Sequence, residues 1–167
     1  MDAAAKKTAL RMIPYGLYVL TSESGDDGVT ASTVNWVTQA SFEPPLVVIG
    51  VKKDSSAYKI VSETRFFALN VLGKGQQALA FNFFKPATRD GDTIGGQPVR
   101  RGQTGAPILV DAVAAIECQV VDLLAGGDHA IVVGEVVNAE VARAIDGRPD
   151  DATLTLKDLG EKTFYGG

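Results

Sequence analysis

The sequence predicts a mainly antiparallel β barrel with helices packed outside it. About seven strand-like stretches stand against three helical ones, and the strands come mostly in adjacent runs or hairpins. The C-terminal half also lacks the regular strand–helix alternation that a doubly wound parallel sheet requires. With 167 residues, 46% of them hydrophobic and 22% charged, the chain has the size and composition of a single globular domain, expected over residues 1–167.

Ala3 to Ile13 is rich in helix formers and stops at Pro14, whose ring disfavours helix in the residue before it. Tyr15 to Thr21 is aromatic and β-branched, so it reads as a strand running into the turn Ser24-Gly25-Asp26-Asp27-Gly28. Val29 to Thr38 reads as one further strand, broken at Glu43-Pro44-Pro45. Leu46 to Val51 is continuously apolar, the pattern of a strand buried on both faces. Ser55 to Glu63 changes period, with Ala57, Ile60 and Val61 on one helical face and Ser55 or Asp54 as N-cap. Phe66 to Leu72 is another strand, closed by Gly73-Lys74-Gly75, and Gln76 to Phe84 is a short helix. Pro86 to Ala106, with five glycines, reads as a long polar loop of the kind that is usually functional or mobile. Ala112 to Leu124 and His129 to Val141 form a hairpin about Ala125-Gly126-Gly127-Asp128. A turn at Asp146 to Asp151, a short strand at Thr153 to Leu156 and the tail Phe164-Tyr165-Gly166-Gly167 complete the chain.

Composition excludes several classes. Sixteen basic residues against 20 acidic give a formal charge of -4, which argues against a general nucleic-acid binder. One cysteine and one histidine make neither a disulfide framework nor a zinc cage, so no metal is expected. The first twelve residues lack the apolar core of an export signal, and Pro44 to Val51 is far short of a membrane span. A cytoplasmic protein that binds no membrane is the expectation. Rossmann, P-loop, serine-hydrolase and zincin motifs are all absent.

Three places carry chemistry. At Val51-Lys52-Lys53-Asp54-Ser55-Ser56 a buried strand runs into a helix start, where backbone N–H groups, hydroxyls and ammonium groups would converge on an anion. An ordinary N-cap beside two solvated lysines explains the same residues. Thr30 to Ser41 is dense in hydroxyl and amide groups that suit a flat heterocycle with polar edges, although strand propensity also accounts for its threonines and for Trp36. His129, the one histidine, follows the Gly126-Gly127-Asp128 turn and serves either as a site residue or as a hydrogen-bonder of that turn. Cys118 lies between Ile116 and Val120 and reads as a small buried hydrophobe.

Taken together, Pro14-Tyr15-Gly16-Leu17-Tyr18-Val19-Leu20-Thr21-Ser22, Thr30-Ala31-Ser32-Thr33, Pro44-Pro45-Leu46-Val47, Phe67-Ala68-Leu69-Asn70-Val71-Leu72 and Gly127-Asp128-His129-Ala130-Ile131-Val132-Val133-Gly134-Glu135-Val136 resemble the flavin reductase-like family. In particular the chain resembles the branch associated with rubredoxin and flavodiiron modules. The resemblance implies an FMN-binding split β-barrel, antiparallel and Greek-key-like with peripheral helices, usually a homodimer with flavin near the subunit interface. It implies that Ala31, Ser32 and Thr33, with Trp36, Thr38, Gln39, Ala40 and Ser41, line the isoalloxazine and ribityl chain. It places the flavin phosphate near Lys52, Ser55 and Ser56, adds Lys85 from the second helix, and sets His129 by the nicotinamide or the flavin face. The implied activity is hydride transfer from NAD(P)H to bound FMN, with FAD as the alternative flavin, and onward to free flavin, a redox protein partner or oxygen. The alternatives are an FMN electron-transfer module without NAD(P)H turnover, and a haem-binding or non-catalytic split barrel.

Overall fold

A computed structural model describes residues 1–25 and 28–166. The expected turn at Ser24 to Gly28 therefore lies partly outside the described residues. In chain order the strands are β1 (Tyr18–Ser24), β2 (Gly28–Val34), β3 (Val37–Ser41), β4 (Leu46–Lys52), β5 (Phe66–Val71), β6 (Arg89–Asp90), β7 (Thr93–Ile94), β8 (Gln97–Arg101), β9 (Pro107–Leu109), β10 (Ala114–Leu124) and β11 (His129–Val141). The helices are α1 (Ala3–Arg11), α2 (Ser56–Thr64), α3 (Gln77–Asn82) and α4 (Pro149–Ala152), followed by a 3-10 turn at Leu156–Leu159.

Seven strands pair in the order β2-β1-β5-β10-β11-β4-β3, antiparallel throughout. β2 and β3 occupy opposite edges of this sheet, yet only Asn35 and Trp36 separate them in the chain. Laid flat, seven strands about 4.8 Å apart would hold their edges about 29 Å apart, while three Cα steps reach about 11 Å. The sheet must therefore roll until its edges nearly meet, which is a split barrel. The wall encloses Leu20, Val47, Ile49, Val51, Phe67, Leu69, Val120 and Val132, and α2 adds Ala57 and Val61.

A second sheet, β6-β7-β8-β9, is fastened to the barrel by buried polar groups. The Asn70 amide on β5 donates to Val19 O and Thr21 Oγ1, and its oxygen accepts from Leu109 N–H on β9. Glu117 on β10 is 2% exposed and accepts from Gln103 N–H, Thr104 N–H, Thr104 Oγ1 and Asn138 Nδ2. Burial alone would raise its carboxyl, but these four donors together outweigh burial and hold it below the ordinary value.

Several sequence expectations are corrected. The single strand Val29 to Thr38 is two strands, broken where Val37 N–H bonds Asn35 O at 3.0 Å in a three-residue turn. Leu46 to Val51 is not buried on both faces: Val47, Ile49 and Val51 point inward while Leu46, Val48 and Gly50 stay half-covered, as in a barrel wall. The polar loop Pro86 to Ala106 contains β6, β7 and β8, turned at Gly91, Gly95 and Gly96 with positive φ. The turn at Asp146 to Asp151 includes the start of α4. Thr153 to Leu156 contributes only isolated bridges, Thr153 to Gly73 and Thr155 to Gly16, before the 3-10 turn.

Candidate functional site

A cleft of about 510 Å³ opens where the rolled sheet meets α2 and α3. That volume lies in the roughly 300–1,000 Å³ range of small-molecule and cofactor sites. Leu17, Val51, Phe83 and Leu156 give apolar walls, and Ser32, Asn35, Lys52, Ser55 and Ser56 give polar edges.

At one end stands the start of α2. Ser55 is its N-cap: its Oγ accepts from Tyr58 N–H at 3.1 Å and donates to Lys52 O at 2.6 Å. Its hydroxyl proton is therefore already committed. The N–H groups of Ser56 and Ala57 fall at the first two helical positions, which have no intrahelical acceptor. The exposed Ser56 hydroxyl makes no hydrogen bond among the described residues. Lys52 Nζ sits 3.0 Å from Asp54, and this hydrogen bond raises the pKa of the ammonium, which stays cationic. Both partners are largely exposed, so the pair is weak and readily exchanged for another anion.

Beside this helix start lies an aromatic cluster. His129 faces Lys52 across the β11–β4 ladder, so backbone hydrogen bonds hold the cluster and the cationic side chain side by side. The His129 ring packs on Trp36 with centroids 4.6 Å apart, and Tyr165 packs on Trp36 at 5.3 Å. Asp128 can only accept, so His129 Nδ1–H donates to Asp128 Oδ1 at 3.0 Å. In the neutral ring Nε2 is then the acceptor, taking the Tyr165 O–H at 2.7 Å. The hydrogen bond from His129 keeps Asp128 below the ordinary carboxylate value, and burial raises the Tyr165 phenol. Gly50 makes room for this arrangement, since a Cβ there would meet Trp36 Cε3 at 2.9 Å.

The cleft brings together seven of the expected site residues: Ser32, Thr33, Lys52, Ser55, Ser56, Lys85 and His129. Thr33 serves mainly to pin α3, its N–H bonding Phe83 O and its hydroxyl Ala80 O at 2.7 Å. Trp36 backs the cleft through His129 and Gly50. Ala31 instead faces the core at 2% exposure. Thr38, Gln39, Ala40 and Ser41 lie away from the cleft on edge strand β3, where Thr38 Oγ1 and Gln39 Nε2 donate to nearby backbone carbonyls. Sequence reasoning missed Asn35, Phe83, Phe84, Asp128 and Tyr165 as site residues. The aromatic pair Phe164-Tyr165 in a glycine-flanked tail was the available signal for the last.

The flavin reductase like domain family matches residues 10–158. This chain belongs to the flavin reductase-like family. It is 36% identical over 145 residues to diflavin flavoprotein A 1 of Synechocystis, covering 86% of this chain and 25% of that protein. The chain thus spans about a quarter of that relative's length. Among solved structures, the NADH:FAD oxidoreductase SgcE6 of Streptomyces globisporus C-1027 superposes with a TM-score of 0.73 at 29% identity, covering 92% of this chain and 87% of that one. An FMN-binding protein from Thermus thermophilus gives 0.68 at 26% identity, covering 78% and 72%. The flavin reductase-like fold thus accounts for the rolled sheet, and no helix among the described residues is long and apolar enough to cross a membrane.

Proposed function

We propose that this flavin reductase-like chain, as one flavin-binding unit, binds FMN in the cleft and reduces it with NAD(P)H. The observation that carries the reading is the pairing, within one cleft, of an anion-ready helix start at Ser56 with the rings of His129 and Tyr165, which Trp36 backs from behind. The residues present fit a phosphorylated flavin. Ser56 Oγ, the Ser56 and Ala57 N–H groups and Lys52 would hold the phosphate. Apolar walls and the polar edge of β2 would hold the ring. Bound flavin supplies the hydride acceptor; the protein's task is to set the two rings about 3–3.5 Å apart and to exclude water. No general base is needed for the hydride step, in keeping with a cleft that holds one histidine. The same helix start would hold the ribityl phosphate of FAD, which is the alternative flavin.

Exposed Val121, Leu124, Ile131, Val137 and Val141 on the β10–β11 hairpin, together with Phe42 beside β3, support a homodimer. Such a contact would give Thr38 to Ser41 a role at a subunit interface. The diflavin relative supports a redox protein as onward acceptor, alongside free flavin and oxygen. The test is the absorbance of the purified protein with FMN, before and after anaerobic NADH or NADPH. Flavin bands that bleach rapidly support the reading. Bound flavin that stays oxidised leaves an electron-transfer module, and no flavin binding removes the reading altogether.

A further inference from the structure

We propose that the segment Gly160 to Gly166 is a strap lying in the place of the hydride donor's nicotinamide, with the Tyr165 hydroxyl standing in for its carboxamide. This rests on the NAD(P)H reading above. Both nitrogens of His129 are already engaged, Nδ1–H by Asp128 and Nε2 by Tyr165. An incoming ring therefore meets an occupied histidine. The occupant is itself a flat ring seated on Trp36 and aiming one polar hydrogen at Nε2. A carboxamide N–H offers that acceptor the same hydrogen from a ring of similar size.

The strap is held lightly. Between Glu161 and Gly166 one backbone N–H, that of Thr163, reaches a backbone carbonyl, the one on Gly160 at 3.0 Å. Asn35 Nδ2 reaches Tyr165 O only at 3.4 Å. The outer clip is Arg11, whose Nε donates to Gly166 O at 3.2 Å and whose guanidinium lies 4.5 Å over the Phe164 ring. Arg11 ends α1, a helix without a buried residue. Closure also carries a penalty, because Gly166 lies over the Trp36 indole and the buried Nε1–H finds no acceptor among the described residues. Opening returns that donor to water and recovers the desolvation cost of an unmade hydrogen bond. A segment with so few backbone hydrogen bonds, closed over a donor that has no acceptor among the described residues, belongs to the low-stability end of a fold.

Donor and strap then compete, and the apparent affinity for the donor scales with the open fraction. Arg11→Ala and Phe164→Ala loosen the clip without touching the cleft walls. Trp36 is the sole tryptophan, so acrylamide quenching of its emission in the flavin-free protein reads the strap directly. In both variants quenching should rise, and the KM for NADH in the FMN-loaded protein should fall by roughly two- to tenfold, with FMN affinity unchanged. Unchanged quenching, an unchanged KM or a raised KM each overturns the proposal; a raised KM would mean that the strap completes the donor site. If the wild type binds FMN but neither nicotinamide reduces it, the functional reading fails and the strap proposal with it. If the wild type is reduced and the variants keep its KM, only the strap proposal fails.

Discussion

Two adjacent serines at the start of α2 should separate into a binding residue and a folding residue. Ser55 is bonded in both directions, to Tyr58 N–H and Lys52 O, so its removal strips an N-cap. Such losses cost about 1 kcal/mol, which in a chain of this size lowers Tm by roughly 2–4 °C. Ser56 keeps its donor, faces the cleft and caps nothing. Losing one charge-assisted hydrogen bond to a phosphate forfeits about 1.5–3 kcal/mol, or roughly a 10- to 150-fold rise in Kd. Titration of FMN into Ser56→Ala and Ser55→Ala, with a melting curve for each, measures both quantities. Ser56→Ala should bind FMN at least tenfold more weakly at wild-type Tm, and Ser55→Ala should melt earlier with Kd changed by less than about threefold. Wild-type affinity in Ser56→Ala would place the phosphate elsewhere, and wild-type melting of Ser55→Ala would refute the capping argument.

His129→Ala should retain FMN and its fold, while flavin reduction at saturating NADH, followed by stopped-flow bleaching, slows roughly 10- to 100-fold, about 1.4–2.7 kcal/mol of barrier. Gly134→Ala forces a Cβ within 2.7 Å of Phe67 Cζ and 2.8 Å of Cys118 Cβ, an overpacking that should lower stability in urea by about 1–3 kcal/mol. The Asp158 carboxyl is held at about 2 by the hydrogen bond from Lys74 and then by Thr155. Because this native value lies below the unfolded one, its stabilisation is complete above about pH 4 and is lost as pH falls toward 2. Wild type should therefore lose about 1 kcal/mol across that window relative to Asp158→Asn, the figure being reduced for solvent screening of a half-exposed Lys74; acid titration monitored by circular dichroism checks it.

The barrel wall was legible because its strands carry their own signals. The hairpin about Gly126-Gly127-Asp128, the apolar run Leu46 to Val51 and the amphipathic turn of Ala57, Ile60 and Val61 all fold where their patterns place them. The break at Asn35-Trp36 was not legible. It has no glycine or proline, and the chain is turned by a local Val37–Asn35 bond and held by Gly50 N–H on Trp36 O, a partner from a strand not yet met. The second sheet escaped notice because only Ile94 and Val99 of β7 and β8 are buried, so its short strands read as polar loop. In the cleft, helix-capping chemistry identified Lys52, Ser55 and Ser56 from neighbouring residues alone. Tyr165 meets His129 36 positions away, and no local pattern encodes a contact of that range.

The two-residue link between the outermost strands has a mechanical consequence. It acts as the fastening of a hoop, so the gap between the walls of the cleft is fixed by the circumference of the whole sheet. A bulge raised inside the hoop, at Gly134 or Phe67 for instance, has little slack at Asn35-Trp36 to absorb it, because a packed interior passes strain on. Substitutions that never touch a ligand should thus alter the separation of two stacked rings. Lengthening the link by a few residues would uncouple the gap from the hoop, whereas additions at the Ala125 to Asp128 turn would leave the circumference as it is.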